Sequence, residues 1–512
     1  MNLSRKGYLS AVAVLGLLGP LAGSAAAALP LNQACTSGPA TGPGGVSSKQ
    51  PGCTTRVSMG PGNVEPDGTS QRPRISEDGN WVVFQSGADN LATDYQPGHG
   101  TDAYIVNKID PATTIEMLDR AAGGGMPNNA ATFVDVTGSG EYAVFYSKAT
   151  NLVGGRTTRS GSIFLRDVMA NRTLEVSISS SGGSTNGYSN RPTISGKADA
   201  NGKYYIAYNS KGTNLVAGAT GADDVYVTQF DPATFTVSRP KLVSHSLSGV
   251  GSNGQNEHAE ISSDGTHIAW QSQATNLTNA DSDTISDIYE SANPFLTPGG
   301  ADPVLVSVSS GGAKGRAPST RPAINGNGDE VAWESTASNL VANDTNAAMD
   351  TFVRGTRAGS FVPTGNTIRV SVDYNGNQLA GNSQRPNLNG AGDKVGFAAN
   401  ARTVVKGDLN GQRDVFLRDL RTGVNYLIDV CKTGGFGGGT TPCTGTAVAS
   451  TSSGPVAPFA RAGGEDLSSR AFLDDAGDSV AFISGMSDLV PNDTNSATSL
   501  DDIFVRDFTF TP

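Results

Sequence analysis

RPAINGNGDEVAWESTASNLVANDTNAAMDTFVR, residues 321–354, recurs with drift in seven versions along the 512-residue chain. Residues 322–325 read as a short strand, Asn327-Gly328-Asp329 as a turn, and residues 331–335 (VAWES) as a second strand with a β-branched and aromatic bias. The loop at 338–341 leads through an acidic turn to a third strand at 351–354, and residues 367–372 (TIRVSV) supply a fourth. Short strands separated by turn signals argue for an all-β chain.

The turn glycine is the ruler of the repeat. It stands at Gly79, Gly140, Gly202, Gly265, Gly328, Gly392 and Gly477, with gaps of 61, 62, 63, 63, 64 and 85 residues. A fixed period means a repeat architecture, and four strands per period predict a β-propeller. The last unit offers only three strands, near Leu473, at 479–484 and at 502–508. The missing one appears at residues 54–59 (TTRVSM), which match 174–178 (LEVSI), 304–308 (VLVSV) and 368–372 (IRVSV). The expected fold is therefore a seven-bladed β-propeller of four-stranded antiparallel blades, closed by an N-terminal outer strand in blade seven. Closure of this kind removes the open edges of the ring.

The pattern ISxDGxxVAFxS, followed by NLVxxDTN and DIFVRD, resembles the PD40, or TolB-type WD40-like, propeller repeat over roughly residues 54–512. The resemblance implies the propeller alone. TolB carries an α/β domain ahead of its propeller, and this chain reaches its repeats almost at once, so TolB's envelope role is not implied.

Residues 1–28 read as a secretory signal: Arg5 and Lys6, an apolar run at 11–21, then small residues at 25–28. That run is too short to span a bilayer. Removing the segment takes away two cations and no acid, which moves the formal net charge from −11 to −13. An acidic surface argues against nucleic acid, whose phosphates call for cationic neutralisation. The expectation is a secreted or periplasmic monomer without a transmembrane segment. Residues 29–53 form a Gly/Pro/Ser-rich lead-in. Cys35 and Cys53 flank it, Cys431 and Cys443 flank the one long insertion, and local pairing is the simplest connectivity for an exported chain.

Four repeated features fall on the face shared by the loops between strands two and three and between strand four and the next strand one. The first is a ring position ahead of the strand-one core: Arg72, Phe133, Arg191, His258, Arg321, Arg385 and Arg470. The second is an Asp opening strand three: Asp102, Asp224, Asp287, Asp350, Asp414 and Asp502, with Ser162 in blade two. Blade two lacks both the basic residue and the acid, so each ring Arg is expected to pair with the Asp of its own blade. The alternative is a cationic ring that grips an anionic ligand.

The third is an Asn-Leu loop at Asn90, Asn151, Asn214, Asn276 and Asn339, where the Asn is expected to cap its own turn. The fourth is an acidic turn in blades four to seven: Asp281, Asp283 and Asp287; Asp344, Asn346 and Asp350; Asp408, Asn410 and Asp414; Asp493 and Asn495 with Asp501 or Asp502. Oxygens at such spacing suit Ca²⁺, although the EF-hand glycine and distal Glu are missing. Calcium is the one candidate cofactor, set against a solvated turn.

Enzyme motifs are scarce. There is no G-x-S-x-G, HExxH or Walker loop. Of four histidines, His99, His245, His258 and His267, only His258 is a candidate for acid–base work, because it is expected near the channel mouth. Two functions follow. One is a non-catalytic exported propeller that binds a protein or glycan through its loop-rich face. The other is a polysaccharide-active, lyase-like enzyme using His258 with Arg191 or Arg321 and Tyr188.

Overall fold

The computed structural model describes residues 33–36, 52–92, 100–154, 161–297, 301–405, 413–429, 471–485, 489–490 and 500–508. They belong to one compact unit, Leu31–Pro512, and form seven antiparallel sheets, one per repeat. The signal-like residues 1–28 lie outside the described residues.

Blade five shows the plan, with strands Ser319–Ile324, Glu330–Ser335, Asp350–Gly355 and Thr367–Arg369 paired in chain order. Its first strand begins three residues earlier than the sequence suggests, so Arg321 lies inside the strand and not before it. The second strand is packed on both faces by neighbouring blades, and Val331, Ala332 and Trp333 are all 0% exposed. This is why VAWES reads as a continuous apolar run and lacks period-two alternation.

Each blade is stitched by one aromatic pair across strands two and three: Phe84–Tyr104, Phe145–Phe164, Tyr208–Tyr226, Trp270–Tyr289, Trp333–Phe352, Phe397–Phe416 and Phe482–Phe504. Their ring centroids are 5.6 to 6.1 Å apart and nearly parallel. Directly opposed aromatics of this kind are strong cross-strand pairs. Each ruler glycine has φ between 67° and 75°, the left-handed region that the turn between strands one and two demands.

At the end of the channel where those turns lie, a belt of backbone hydrogen bonds runs around the ring. Asp78 N–H donates to Gly138 O, Gly138 to Gly196, Lys197 to Ser263, Asp264 to Gly326, Gly326 to Gly390, Gly390 to Asp475, and Asp475 to Glu77, all at 2.8 to 3.1 Å. One bond crosses each blade boundary. A Cβ at Gly196 would strike the Glu77 carboxylate, and one at Gly390 the Asp475 carboxylate, so the belt is narrow enough to need glycine.

The ring closes as expected. Gly52–Arg56 pairs antiparallel with Asp502–Phe508, setting Thr54 opposite Arg506, and Val57 N–H continues the ladder to Ile503 O at 2.9 Å. One element departs from expectation. Gln33–Thr36, assigned by sequence to the lead-in, pairs with Gly52–Arg56 and gives blade seven a fifth strand. Cys35 stands opposite Cys53 in that ladder. Cys431 and Cys443 lie outside the described residues. Among the described residues no helix is long and apolar enough to cross a membrane.

Candidate functional site

The site begins with a backbone device. In six blades the inner strand carries a bulge at the ring position: the register shifts between Gln71 and Arg74, Thr132 and Asp135, Asn190 and Thr193, Glu257 and Glu260, Thr320 and Ala323, and Gln384 and Asn387. Arg72, Phe133, Arg191, His258, Arg321 and Arg385 sit in these bulges with φ between 49° and 56°. Left-handed backbone is uncommon for such bulky residues and costs about 1–3 kcal/mol each. Bulges re-aim side chains, and here they bring Arg72, Phe133, Arg191 and His258 around one pocket. The preceding blade holds the turned-out amide: Phe133 N–H donates to Gln85 Oε1 at 3.2 Å, Arg321 N–H to Gln271 Oε1 at 2.9 Å, and Arg385 N–H to Glu334 Oε2 at 2.7 Å. Arg470 lies outside the described residues.

In blades three, four and five the ring residue and the strand-three Asp of the same blade have different partners, not each other. In blade five Arg321 meets Glu334 at 3.1 Å, while Asp350 accepts Ser371 Oγ at 2.6 Å and faces Arg369 at 3.6 Å. In blade four the His258 ring takes a hydrogen bond from Arg191 of blade three at 3.0 Å, and Asp287 is held by Ser307 at 2.7 Å and Lys314 at 2.8 Å. Asp224 of blade three accepts hydroxyls from Ser244 and Ser252. The reason is placement. The bulge sends the ring residue toward the channel, whereas the Asp at the head of strand three turns outward to strand four.

Around the mouth, the Arg72 and Arg191 guanidinium groups lie 4.3 and 4.7 Å from the Phe133 ring centroid. Arg191 then reaches His258. Its guanidinium can only donate, so His258 Nε2 is the acceptor and carries no proton. Beneath this arc, Arg74 crosses the channel from blade one to Glu260 of blade four, at 2.5 Å, with its guanidinium 4.4 Å from the Phe472 ring centroid. Asp135 lies near the same guanidinium. Burial raises its carboxyl to about 6, and Arg74 opposes the rise. The space between arc and crossbar is about 40 Å³, room for a few waters or one small polar end group. A second crossbar lies at the belt, where Lys197 Nζ meets Glu77 at 3.5 Å and Asp475 at 3.2 Å. The mouth thus presents Arg72, Arg191 and His258, while the belt sets one ammonium between the carboxylates of Glu77 and Asp475.

Tyr188 belongs to the neighbourhood of Arg191. Its hydroxyl donates to Asp223 at 2.9 Å, and burial lifts the Asp223 carboxyl to about 6, against the Tyr188 hydrogen bond and the Lys211 charge. His267 is elsewhere. Burial, then the Arg357 charge, lowers it to about 4. His99 is outside the described residues. Arg74, Asp135, Glu260 and Asp223 were not singled out by sequence reasoning. The available signal for the first three was a charged residue at a strand-one position that other blades fill with Thr193, Ala323, Asn387 and Phe472.

The Asn-Leu loops also act differently from expectation. Asn151 donates to Met126 O at 2.9 Å and accepts Asn128 N–H at 3.0 Å, while Asn128 accepts Thr150 N–H at 2.8 Å. Asn90, Asn214, Asn276 and Asn339 likewise clamp the linker that enters their blade. The Asn ties two loops together and does not cap its own turn, while the Leu beside it is buried.

In the acidic turns, Asp281, Asp283 and Asp287 bring oxygens within 4.8 Å of one another, close enough to hold one metal ion. The Lys314 ammonium lies among them at 3.2, 2.7 and 2.8 Å. Burial alone would lower Lys314, but these carboxylates hold it well above the usual lysine range. In blade five Arg369 lies 3.8 Å from Asp344 and 3.6 Å from Asp350, and Asn346 Nδ2 reaches Asp350 at 3.5 Å. In blade seven Arg56 lies 3.5 Å from Asp502. Asp414 opens strand three of blade six. Asp408, Asn410, Asp493 and Asn495 lie outside the described residues.

No family model matches the chain, and no curated protein matches it. Among solved structures it is similar to an oligogalacturonate lyase in complex with manganese, with 10% identity and a TM-score of 0.48, over 94% of this chain and 97% of that one. A hydrazine synthase from Kuenenia stuttgartiensis has 14% identity and a TM-score of 0.35, over 70% of this chain and 78% of that one. TolB from Acinetobacter baumannii has 11% identity and a TM-score of 0.35, over 70% and 62%. At these identities the likeness concerns the fold alone.

Proposed function

We propose that this chain is an exported, non-catalytic propeller of the PD40 type that binds a protein or glycan partner through the face bearing the channel mouth. The observation that carries this reading is the arc Arg72–Phe133–Arg191–His258 above the Arg74–Glu260 crossbar. Six residues are held in left-handed bulges, and a strained backbone kept across repeats is usually kept for what it presents. Two arginines and a histidine on one arc suit an anionic group on the partner, since a guanidinium fork binds carboxylate with two hydrogen bonds. In this reading the lead-in is stapled by a Cys35–Cys53 disulfide in an oxidising compartment, as their opposition in the ladder allows.

The test is binding of purified protein to a panel of anionic oligosaccharides and to envelope proteins captured from the exporting cell. Arg72→Ala and Arg191→Ala should each weaken a partner that binds here at least tenfold. Unchanged affinity in both would remove the mouth from the interface.

One observation favours a second, lyase-like reading. The Arg191 hydrogen bond fixes the His258 tautomer whose Nε2 carries the lone pair, the atom a general base would use once a substrate group displaces Arg191. New ultraviolet absorbance from unsaturated sugar ends, lost in His258→Ala, would select it over the binder.

A further inference from the structure

In three blades the residue before the closing serine of strand two holds the turned-out ring amide of the next blade: Gln85, Gln271 and Glu334. Blade three has Asn209 at that position, ahead of Ser210. Its side chain is one methylene shorter, and its Oδ1 meets the following amide, Ala259 N–H, at 3.4 Å. Its Nδ2 is spread between two carbonyls, Asn256 O of blade four at 3.1 Å and Asp223 O of its own blade at 3.5 Å.

Three residues flanking Asn209 each keep a buried side-chain oxygen without a hydrogen-bond partner: Oδ1 of Asn190, of Asp223 and of Asn256. Asn190 stands directly opposite Asn209 in the ladder, so both side chains share the face turned to blade four. Asn256 turns back to blade three, where its Nδ2 donates to Ser252 Oγ and that hydroxyl donates to Asp224. Asp223 is 2% exposed, and its other oxygen accepts the Tyr188 hydroxyl at 2.9 Å. The charged neighbours of Asp223 are Lys211, Glu257 and Arg191. The Lys211 ammonium lies 5.4 Å from the Tyr188 ring centroid, and Arg191 is engaged by Phe133 and His258.

We propose that the side-chain oxygens of Asn190, Asp223 and Asn256 hold one alkali-metal cation in the seam between blades three and four. Buried acceptors without a donor call for a water or an ion. A water molecule has two protons to donate, so it leaves one of the three oxygens unserved, whereas a cation attracts all three at once. One carboxylate among neutral amide oxygens gives the seam a single negative charge, which a monovalent ion balances. Ca²⁺ sites gather more carboxylates than this. The ion thereby fixes Asp223, and through it Tyr188, beside Arg191.

The experiment follows the melting temperature of the full chain at pH 7.5 in NaCl, KCl or choline chloride at equal ionic strength. Choline is too large for a buried seam and controls for charge screening. The parent should melt several degrees higher in NaCl or KCl than in choline chloride, because an ion that binds the folded chain stabilises it. Asp223→Asn keeps an acceptor for Tyr188 and removes the charge. Asn256→Ser installs the residue that opens strand one in blades one, three, five and six. Both variants should lose most of the alkali-dependent rise, and crystals grown in RbCl should show anomalous scattering beside the Asp223 carboxylate in the parent alone. Equal melting of the parent in the alkali and choline salts overturns the proposal and assigns the seam to water. An alkali-dependent rise of the same size in both variants overturns it as well, because the ion then binds elsewhere.

Discussion

The guanidinium of Arg74 in blade one meets the carboxylate of Glu260 in blade four across the central channel, at 2.5 Å. These blades are not neighbours, so the pair braces the ring along a chord and floors the cationic mouth. Its side chains are about one-fifth exposed, which places it between a solvated and a buried ion pair.

Arg74→Met should leave Glu260 and Asp135 facing each other without a cation. The expected loss is about 2–3 kcal/mol in urea unfolding, somewhat below that of a fully buried pair. A loss under about 0.5 kcal/mol would mean that solvent screens the bridge.

Lys314→Met should strip the internal cation from Asp281, Asp283 and Asp287. Like charges then crowd a partly buried turn, and the melting temperature falls in chelator. Millimolar Ca²⁺ should restore more stability to this variant than it adds to the parent, because only the variant has room for an ion there. Equal Ca²⁺ responses would count against Lys314 as the cation's substitute.

Glu330 gives the protein a pH signature. Burial raises its carboxyl from 4.5 to about 8, partly offset by the Val362 N–H. The folded-state value lies above the unfolded one, so the stabilising contribution is complete below about 4.5 and is lost as pH rises through 8. Glu330→Gln should flatten this slope, matching the parent at pH 4 and exceeding it at pH 9 in urea midpoints. Parallel pH profiles for the two chains would refute it.

The belt should be sensitive to a single methyl group. Gly390→Ala drives a Cβ into the Asp475 carboxylate and with it disturbs the Lys197 crossbar. A loss of about 1–3 kcal/mol is expected from overpacking. Gly125→Ala, whose Cβ meets nothing within 4 Å, should change stability by less than about 0.5 kcal/mol. Thermal or urea melts of the two variants decide the matter.

Much of the architecture can be read from local chemistry. The ruler glycines report a left-handed turn that each repeat must make for itself, and the paired aromatics of strands two and three report a sheet buried on both sides. Residues 54–59 matched the outer strands of other blades, and Gly52–Arg56 indeed closes blade seven. The partnerships of the site were not readable in the same way. Arg321 and Asp350 share a blade and a face in sequence logic, yet the bulge turns one toward the channel and strand four claims the other.

The repeat, its count and its circular closure were determined by the sequence alone, because each blade is a local hairpin series whose turn and core residues recur in register. Which charge meets which was decided only by the tertiary structure. Closing seven blades into a ring brings Arg74 to Glu260, Arg191 to His258 and Lys197 to both Glu77 and Asp475. No spacing within a repeat encodes a contact made across a channel or between blades.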